Sequence, residues 1–323
     1  MQNIELPADI PKRKELLDAY DRTFGRIHQT PLMTSTQLND LYDAQFYFKA
    51  ENFQKAGSFK SRGAVNAVFS LSEEQSAKGV CTHSSGNHAQ ALARAAALKG
   101  IPAHIVMPET APKVKVAAVK DYGAQITFCP PTLKDRESTL AKIQNQTGAT
   151  EIHPYNLPAV IAGQSTLAQE IQKQMETEPD MIITPVGGGG LLSGTALAVH
   201  HFFRNTSVYA AEPEGADDAF KSFHNKKFFP SENPNTIADG LLTSLGSRTF
   251  PVIMNHVNDI VTVREESIIK AMRFIWERMK IIIEPSSAVP LAAIFEHKIE
   301  VKSKTIVLVL SGGNLDLDYL PWQ

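Results

Sequence analysis

The chain has 323 residues, of which 43% are hydrophobic and 20% charged, and its formal net charge is −2. This length suggests about two domains and allows a large buried core. The near-neutral charge gives no electrostatic reason to expect a nucleic acid or an anionic membrane as a partner. No apolar run approaches the roughly 20 residues of a transmembrane helix, and the polar N-terminus lacks a signal-peptide core. With only two cysteines, Cys81 and Cys129, we expect a soluble cytoplasmic protein without a disulfide framework.

Short apolar runs alternate with helical periods in the first half of the chain. Strands and helices are predicted in strict alternation, beginning and ending with a strand, over 78–84, 88–100, 103–108, 111–123, 124–130, 133–148 and 149–154. This βαβαβαβ order with compact connections predicts a parallel sheet with right-handed crossovers.

The same alternation continues in the second half. Further segments of this kind are a helix at 159–175 and strands at 180–186 and 207–213. Thr262 and Glu265 have the spacing of a capping box ahead of a helix with one apolar face. The continuous apolar run 305–310 predicts a strand buried on both faces. Residues 220–240 are rich in Lys, Asn, Pro and Phe and predict an irregular surface segment, so we expect two α/β lobes.

Three glycine-bearing turns follow predicted strands, at 84–88, 186–194 and 311–314. Ligands of open α/β sheets bind outside the carboxyl ends of the strands. The second turn, VGGGGLLSG, can present several backbone N–H groups and a helix N-terminus to a phosphate. It is neither a Walker loop nor GxGxxG, because Leu192 occupies the third glycine position. A tight turn is the structural alternative, but one glycine would suffice for it. A monophosphate cradle without nucleotide motifs suggests pyridoxal phosphate, which also needs a lysine.

Four motifs identify a known family. ENFQKAGSFKSRGA, THSSGNHAQAL, PVGGGGLLSG and LVLSGGNLD occur in this order and resemble the fold-type II pyridoxal-phosphate enzymes, specifically the serine racemase and threonine/serine dehydratase family. The resemblance extends from about residue 25 to 318. It implies an α/β fold like that of tryptophan synthase β, with two open, twisted, mostly parallel sheets and flanking helices. Residues 1–77 and 156–323 would form a large cofactor-binding domain, and 78–155 a small mobile domain that carries the substrate loop.

The resemblance also assigns the cofactor contacts. Lys60, which by itself is typical of a surface lysine, would form the Schiff base. Phe59 would lie against one face of the pyridine ring and Gly240 on the other. Asn87 would bind the 3′-oxygen and Ser311 the ring nitrogen, where a neutral hydroxyl makes the cofactor a weaker electron sink. The phosphate would be bound by Gly187, Gly188, Gly189, Gly190 and Leu191.

The resemblance makes the two-serine loop a feature that separates racemases from the classical threonine dehydratases. Racemisation needs a proton removed on one face of Cα and returned on the other. Lys60 would serve one face and Ser85 the other; the alternative is that Ser85 only caps the following helix. The substrate carboxylate would bind the loop, with substrate contacts assigned to Ser84, Ser85, Gly86, Asn87 and His88.

A cation site is the second feature that resembles racemases. Glu212 and Asp218 match the carboxylates of that site, with the Ala216 carbonyl as a third oxygen. Such hard ligands suit Mg²⁺, Mn²⁺ or Ca²⁺. The alternative is a solvated acidic loop without a metal.

These residues favour a serine racemase that also dehydrates serine- and threonine-type substrates. The alternative is a 3-hydroxyaspartate ammonia-lyase, whose second substrate carboxylate would need a cationic partner such as Arg136 or His153. Ser165 and Ser287 depart from the family pattern and leave the preferred substrate open. A silent cofactor-binding protein is disfavoured, because Lys60 and the substrate loop are intact. The family resemblance further implies a homodimer and a possible ATP effector.

Overall fold

Two sheets built from the apolar runs form the framework of the protein. The computed structural model describes residues 4–322. The strands within these residues are β1 (Leu32–Thr34), β2 (Gln45–Ala50), β3 (Val80–His83), β4 (Ala103–Pro108), β5 (Gln125–Cys129), β6 (Thr150–Glu151), β7 (Met181–Pro185), β8 (Ser207–Pro213), β9 (Asp259–Val263) and β10 (Thr305–Leu310).

The larger sheet has the order β1-β2-β10-β7-β8-β9, and the smaller one has the order β5-β4-β3-β6. Every pairing in the smaller sheet is parallel. In the larger sheet only β1 runs antiparallel to its neighbour. The predicted parallel sheet over 78–154 and the predicted fold class are therefore confirmed.

Helices cover these sheets and connect their parallel strands. They are α1 (Arg13–Thr23), α2 (Thr36–Tyr42), α3 (Lys60–Phe69), α4 (Glu73–Lys78), α5 (Asn87–Lys99), α6 (Lys113–Asp121), α7 (Leu133–Thr147), α8 (Pro158–Gln174), α9 (Gly190–Phe202), α10 (Asp218–Asn225), α11 (Thr249–His256), α12 (Glu265–Phe274) and α13 (Pro285–Phe295). None of these described helices combines the length and the apolar character that crossing a bilayer requires.

The strand β10 separates two apolar cores. Ile306 and Leu308 pack into the core that α12 and α13 cover, whereas Val307 and Val309 pack into the core on the α8 and α9 side. Successive side chains of a strand point to opposite faces. Burial on both faces therefore explains why this strand is continuously apolar in sequence, as predicted.

Two local predictions are wrong. Thr262 lies within β9, paired with Glu212 of β8, so it does not cap a helix. The helix α12 instead begins after Arg264, and the Glu265 Oε2 accepts a hydrogen bond from the backbone N–H of Ile237 at 3.0 Å. The irregular segment is also shorter than predicted, because α10 continues to residue 225.

The smaller sheet occupies residues 80–151, and the larger sheet takes strands from both sides of it in the chain. We therefore keep 1–77 with 156–323, and 78–155, as the proposed domains; residues 1–3 and 323 lie outside the described part. The helix α3 packs against both α5 and α8. It thus lies between the two sheets, with Lys60 at its N-terminus.

Candidate active site

The Lys60 side chain is held at the start of α3. Its Nζ donates a hydrogen bond to the Pro154 carbonyl at 3.0 Å and lies 5.2 Å from the centroid of the Phe59 ring. Burial lowers the pKa of the Lys60 amine to about 8, although the Glu284 carboxylate opposes the shift. A desolvated lysine with a lowered pKa is available as a neutral nucleophile near physiological pH.

A buried group of four charged side chains lies behind this lysine, and we call it the α3 charge cluster. The Arg62 guanidinium donates to the carboxylates of Glu51 and Glu170 at 2.7–2.8 Å. The Lys49 Nζ donates to Glu170 at 2.8 Å. All four side chains are buried, so two cations and two anions neutralise one another. The cluster anchors α3 to β2 and α8.

Asn87 begins α5 and is fixed by two partners, the N-cap residue of α13 and a residue that follows β10. Its Nδ2 donates to the Glu284 carboxylate at 2.8 and 3.1 Å, and its Oδ1 accepts from the Asn314 Nδ2 at 2.9 Å. Burial, followed by the charge of Asp239, raises the pKa of Glu284 to about 7. Glu284 was not selected from the sequence, although it immediately precedes Pro285 in the segment that contains Ser287.

The glycine run follows β7 and leads into α9. A Cβ at Gly188 would lie 2.4 Å from the Tyr155 ring, and one at Gly187 would lie 2.8 Å from the Leu241 Cα. Gly189 has a φ of +84°, a conformation that favours glycine. No side chain caps the α9 N-terminus. Several positions therefore require glycine, and the uncapped N–H groups at this end suit an anion such as a phosphate.

Gly240 lies beside this loop, and its N–H donates to the Ser286 Oγ at 3.1 Å. Ser311 directly follows β10, and its Oγ lies 3.1 Å from the Ser287 Oγ. The Ser287 hydroxyl also donates to the Gly312 carbonyl at 2.6 Å. Ser287 therefore contacts the residue assigned to the ring nitrogen. Ser165 is buried inside α8, where its Oγ donates to the Ala162 carbonyl at 2.6 Å.

The substrate loop follows β3. Gly86 is the N-cap of α5 and no side chain caps this helix, so Ser85 does not act as its cap. The Ser84 Oγ accepts from the Gly86 N–H at 3.4 Å. His88 is buried; its Nε2 donates to the Ile152 carbonyl at 2.7 Å, and burial lowers its pKa to about 3. His88 is therefore neutral and its Nδ1 has no partner in the described chain.

Basic side chains extend from Lys60 through His153 and His83 to Arg136, because Lys60 and His83 act on His153 and Arg136 acts on His83. The Arg136 Nε and the His83 Nδ1 are buried without a hydrogen-bond partner among residues 4–322. Burial, then the Arg136 charge, lowers the pKa of His83. Burial, with His83 and Lys60, lowers the pKa of His153 to about 4, and its Nδ1 accepts the Asn156 N–H at 3.0 Å. His83 was missed in the sequence, although it directly precedes the two serines of the loop.

The predicted cation residues meet where β8 ends and α10 begins. The Glu212 carboxylate accepts N–H groups of Ala219 and Phe220 at 3.2 and 2.8 Å. Both carboxylate oxygens of Asp218 are buried, and the Ser231 side chain and the backbone N–H groups of Asp218 and Leu245 offset only part of the cost of its charge. Burial raises the pKa of Asp218 to about 7 and that of Glu212 well above its usual range. Ala216 and Asp218 line a cavity of about 140 Å³.

Residues 23–312 match the family model described as "Pyridoxal-phosphate dependent enzyme". The chain belongs to this family. The pyridoxal-phosphate enzyme is 48% identical over 314 residues to a β-hydroxyaspartate dehydratase of Paracoccus denitrificans (strain Pd 1222), covering 97% of this chain and 99% of that protein. It is also 48% identical over 309 residues to a serine racemase of Dictyostelium discoideum. This match covers 94% of this chain and 95% of that protein.

Solved structures show the same fold. The pyridoxal-phosphate enzyme superimposes on serine racemase from Dictyostelium discoideum with a TM-score of 0.90 and 47% identity, covering 96% of this chain and 100% of that one. The superposition on T.th. threonine deaminase has a TM-score of 0.90 and 42% identity. It covers 95% of this chain and 99% of that one. These comparisons confirm the predicted family, the fold-type II architecture and an enzyme of the racemase and ammonia-lyase group.

Proposed function

We propose that the enzyme racemises serine and eliminates water from serine- and threonine-type substrates. The observation that carries the proposal is the combination of a desolvated lysine, Lys60, with a two-serine loop whose Ser85 hydroxyl is not used as a helix cap. The serine racemase and threonine deaminase relatives support the same reaction classes.

The cofactor contacts follow from the residues that surround Lys60. Bound pyridoxal phosphate supplies the electron-accepting ring that makes the substrate Cα–H acidic. The Gly187–Gly190 run and the α9 N-terminus would bind its phosphate. Asn87 has a second Nδ2 hydrogen beyond the one given to Glu284, and this N–H would bind the 3′-oxygen. Ser311 would meet the ring nitrogen.

The proton transfers belong to two side chains. The Lys60 Nζ would take the Cα proton from its own side of the substrate. Delivery from the other side is assigned to the Ser85 Oγ, which makes inversion possible. The uncapped N–H groups of Gly86 and Asn87 would bind the substrate carboxylate at the α5 N-terminus, where the helix dipole favours an anion.

A substrate panel tests this assignment. L- and D-serine, L-threonine and both 3-hydroxyaspartates are assayed for keto acid and for enantiomer in the same reaction. We expect D-serine from L-serine together with pyruvate. A Lys60→Ala control should lose both products and the visible-edge absorbance of the bound cofactor. Pyruvate formation without any enantiomer exchange would reject the racemase.

A second candidate is a 3-hydroxyaspartate ammonia-lyase. The unpartnered nitrogens of Arg136 and His83 favour it, because they can receive a second substrate carboxylate. The β-hydroxyaspartate dehydratase relative supports it as well. His153 is the less suitable partner, because its neutral ring already accepts a backbone N–H.

Replacing Arg136 separates the two candidates. We expect Arg136→Met to lower kcat/KM for hydroxyaspartate by about 10²-fold, the scale of a lost hydrogen-bonded charge, and to change serine turnover only slightly. Kinetics with both substrates on one preparation provide the measurement. An equal loss with serine would show that Arg136 supports the loop rather than the second carboxylate.

We also propose that Glu212, Asp218 and the Ala216 carbonyl hold a hard divalent cation, with water as the remaining ligand. The buried Asp218 oxygens and the raised pKa values of both carboxyl groups fit a cation, because two buried carboxylates repel each other without one. No group of three His, Cys, Asp or Glu side chains within residues 4–322 could hold a metal ion, so this site depends on carbonyl and water oxygens.

Removal of the cation gives a pH-dependent prediction. The pKa of Asp218 is raised on folding, so without a cation the stability contributed by its proton is lost as pH rises through about 7. EDTA should therefore lower the thermal midpoint more at about pH 8 than at about pH 6, and Mg²⁺ should restore it. Asp218→Asn should abolish the difference. An enzyme unaffected by EDTA at both pH values would have no cation here.

The remaining proposals concern the assembly. We propose a cytoplasmic homodimer, with ATP as a possible effector between subunits, on the strength of the family resemblance. Sedimentation of the holoenzyme measures the subunit number, and activity with and without ATP measures the effector. A monomer that is indifferent to ATP would contradict both.

A further inference from the structure

Three histidines form a cluster in the helical layer outside the larger sheet. They lie at the ends of α9 and α11 that point away from Lys60. His200 and His201 lie in the last turn of α9, and His256 ends α11. The ring centroids of His200 and His256 are 4.4 Å apart, with their planes at 42°. Those of His200 and His201 are 4.9 Å apart. Two helices therefore bring imidazoles together at their C-termini.

The ring nitrogens of this cluster are free. Within residues 4–322, no hydrogen bond or ion pair involves the side chains of His200, His201 or His256. By contrast, the rings of His88 and His224 are each bonded to a backbone carbonyl, at 2.7 and 3.0 Å. His200 is exposed and the other two are half-buried. These nitrogens are thus accessible to a ligand from solvent.

The ring spacing is close to that of two imidazoles on one ion. With metal–nitrogen bonds of about 2.0–2.1 Å, two rings at neighbouring coordination positions have centroids roughly 4.5–5.2 Å apart. The 4.4 Å between His200 and His256 lies just below this range, so the two rings would move slightly apart to bind one ion. We propose that His200 and His256 chelate a divalent transition-metal ion between α9 and α11, with water completing its coordination. No third protein ligand is invoked, since no three such side chains among the described residues could hold a metal ion.

This site differs in chemistry and position from the proposed carboxylate site. Imidazole nitrogens select Zn²⁺, Ni²⁺ or Cu²⁺, whereas carboxylate and carbonyl oxygens select Mg²⁺ or Ca²⁺. The helix α9 begins at Gly190 of the glycine run, and Thr249 at the start of α11 donates to the Gly188 carbonyl at 2.8 Å. A metal at His200 and His256 would therefore tie the far ends of the two helices whose beginnings shape the glycine run.

Calorimetric titration of the tag-free holoenzyme tests the proposal. Bound metal is first removed with EDTA, and the titration is then carried out in excess Mg²⁺. We expect one Cu²⁺ per chain, with weaker binding of Ni²⁺ and Zn²⁺. His256→Ala and His200→Ala should each lower the Cu²⁺ affinity at least tenfold. His104→Ala, a histidine elsewhere in the small sheet, should change nothing.

Thermal unfolding provides a second measurement. Zn²⁺ should raise the midpoint of the wild type and of His104→Ala, but not that of His256→Ala, because only an ion that binds the folded state stabilises it. Wild-type protein that binds no transition metal would overturn the proposal. Binding with unchanged affinity in both His256→Ala and His200→Ala would overturn it equally, by placing the ion elsewhere.

Discussion

The Glu284 carboxylate connects the two asparagines of the proposed cofactor site. It accepts from the Asn87 Nδ2 and from the Asn314 N–H, and its pKa is raised to about 7. When it gains a proton, one oxygen becomes a donor and the Asn87 amide loses part of its anchor. The orientation of Asn87 is therefore sensitive to pH near neutrality.

Glu284→Gln tests this link through cofactor affinity, measured by absorbance titration. We expect wild-type affinity to exceed that of the variant by about tenfold at pH 9, as for a lost hydrogen bond to a charged group. The ratio should shrink towards about pH 6, because wild-type Glu284 is then protonated. Because the Glu284 carboxylate raises the pKa of Lys60, the variant lowers that pKa further, so the Lys60 titration is measured in each protein and corrected for before the ratio is taken. A ratio independent of pH would show that Glu284 does not ionise here.

Stability has the opposite dependence on pH. The folded protein binds the Glu284 proton more tightly than the unfolded chain, so its stabilising effect is lost as pH rises through about 7. The thermal midpoint of Glu284→Gln relative to wild type should therefore increase from about pH 6 to about pH 9. This provides a control that separates misfolding from lost cofactor contacts.

Ser85→Ala should uncouple the two reactions. Racemisation should fall by about 10² or more, the usual scale for a lost acid/base group. L-Serine dehydration should survive, since Lys60 removes that proton, whereas elimination from D-serine should collapse. Chiral analysis with keto-acid assays measures all three. Ser84→Ala removes the neighbouring hydroxyl of the same loop and shows how much of the effect comes from disturbing the loop. Equal loss with both enantiomers would assign Ser85 to loop positioning instead.

The site residues that could be predicted from the sequence lie in distinctive short motifs. Lys60, Asn87 and the glycine run were assigned because their local spacing is distinctive. Glu284 and His83 were missed, because their significance depends on partners far away in the chain, such as Asn87 for Glu284. Their partners become visible only when the sheets bring those segments together.

At the scale of elements, an ion pair connects the helix α6 to the turn before Gly240. The Lys115 Nζ lies 2.5 Å from the Oδ2 of Asp239, the residue that precedes Gly240. This ion pair joins a helix of the proposed small domain to a short turn of the large one. The Lys115 side chain is 15% exposed and that of Asp239 52%, so water screens the pair only in part.

A double-mutant cycle measures the contribution of this pair to closure. We expect Lys115→Met and Asp239→Asn each to lower kcat/KM by at most about fivefold, as for a partly exposed ion pair, without an additive loss in the double variant. High salt should reduce the wild-type advantage. Lys113→Met, on the exposed side of the same helix, is the control. Fully additive losses would contradict a functional pair.

The elements themselves were predictable wherever burial sets a period. The strand β10 and the parallel order of the smaller sheet were assigned from apolar runs. The Thr262 capping box was wrong because β9 continues to pair with β8 at that residue. Local capping chemistry and strand pairing compete for the same backbone, and sequence spacing alone does not reveal which one prevails.

At the scale of the molecule, the position of α3 relates the two sheets. It packs on α5 of the smaller sheet's layer and on α8 of the larger sheet's layer. The fold class followed from the alternating pattern and the resemblance. The side-by-side arrangement of α3 and α5 did not, because helix packing partners leave no periodic mark in the sequence.

The α3 charge cluster restricts how this enzyme can diversify. Replacing Arg62, Lys49, Glu51 or Glu170 alone leaves an uncompensated buried charge, which costs about 3–5 kcal/mol. Viable replacements must therefore arise in combination, through intermediates that fold poorly. The four cluster positions are thus closed to gradual adaptation. In the proposed substrate site, His83 and Arg136 have nitrogens without a partner in the described chain, so these two positions can be exchanged one at a time.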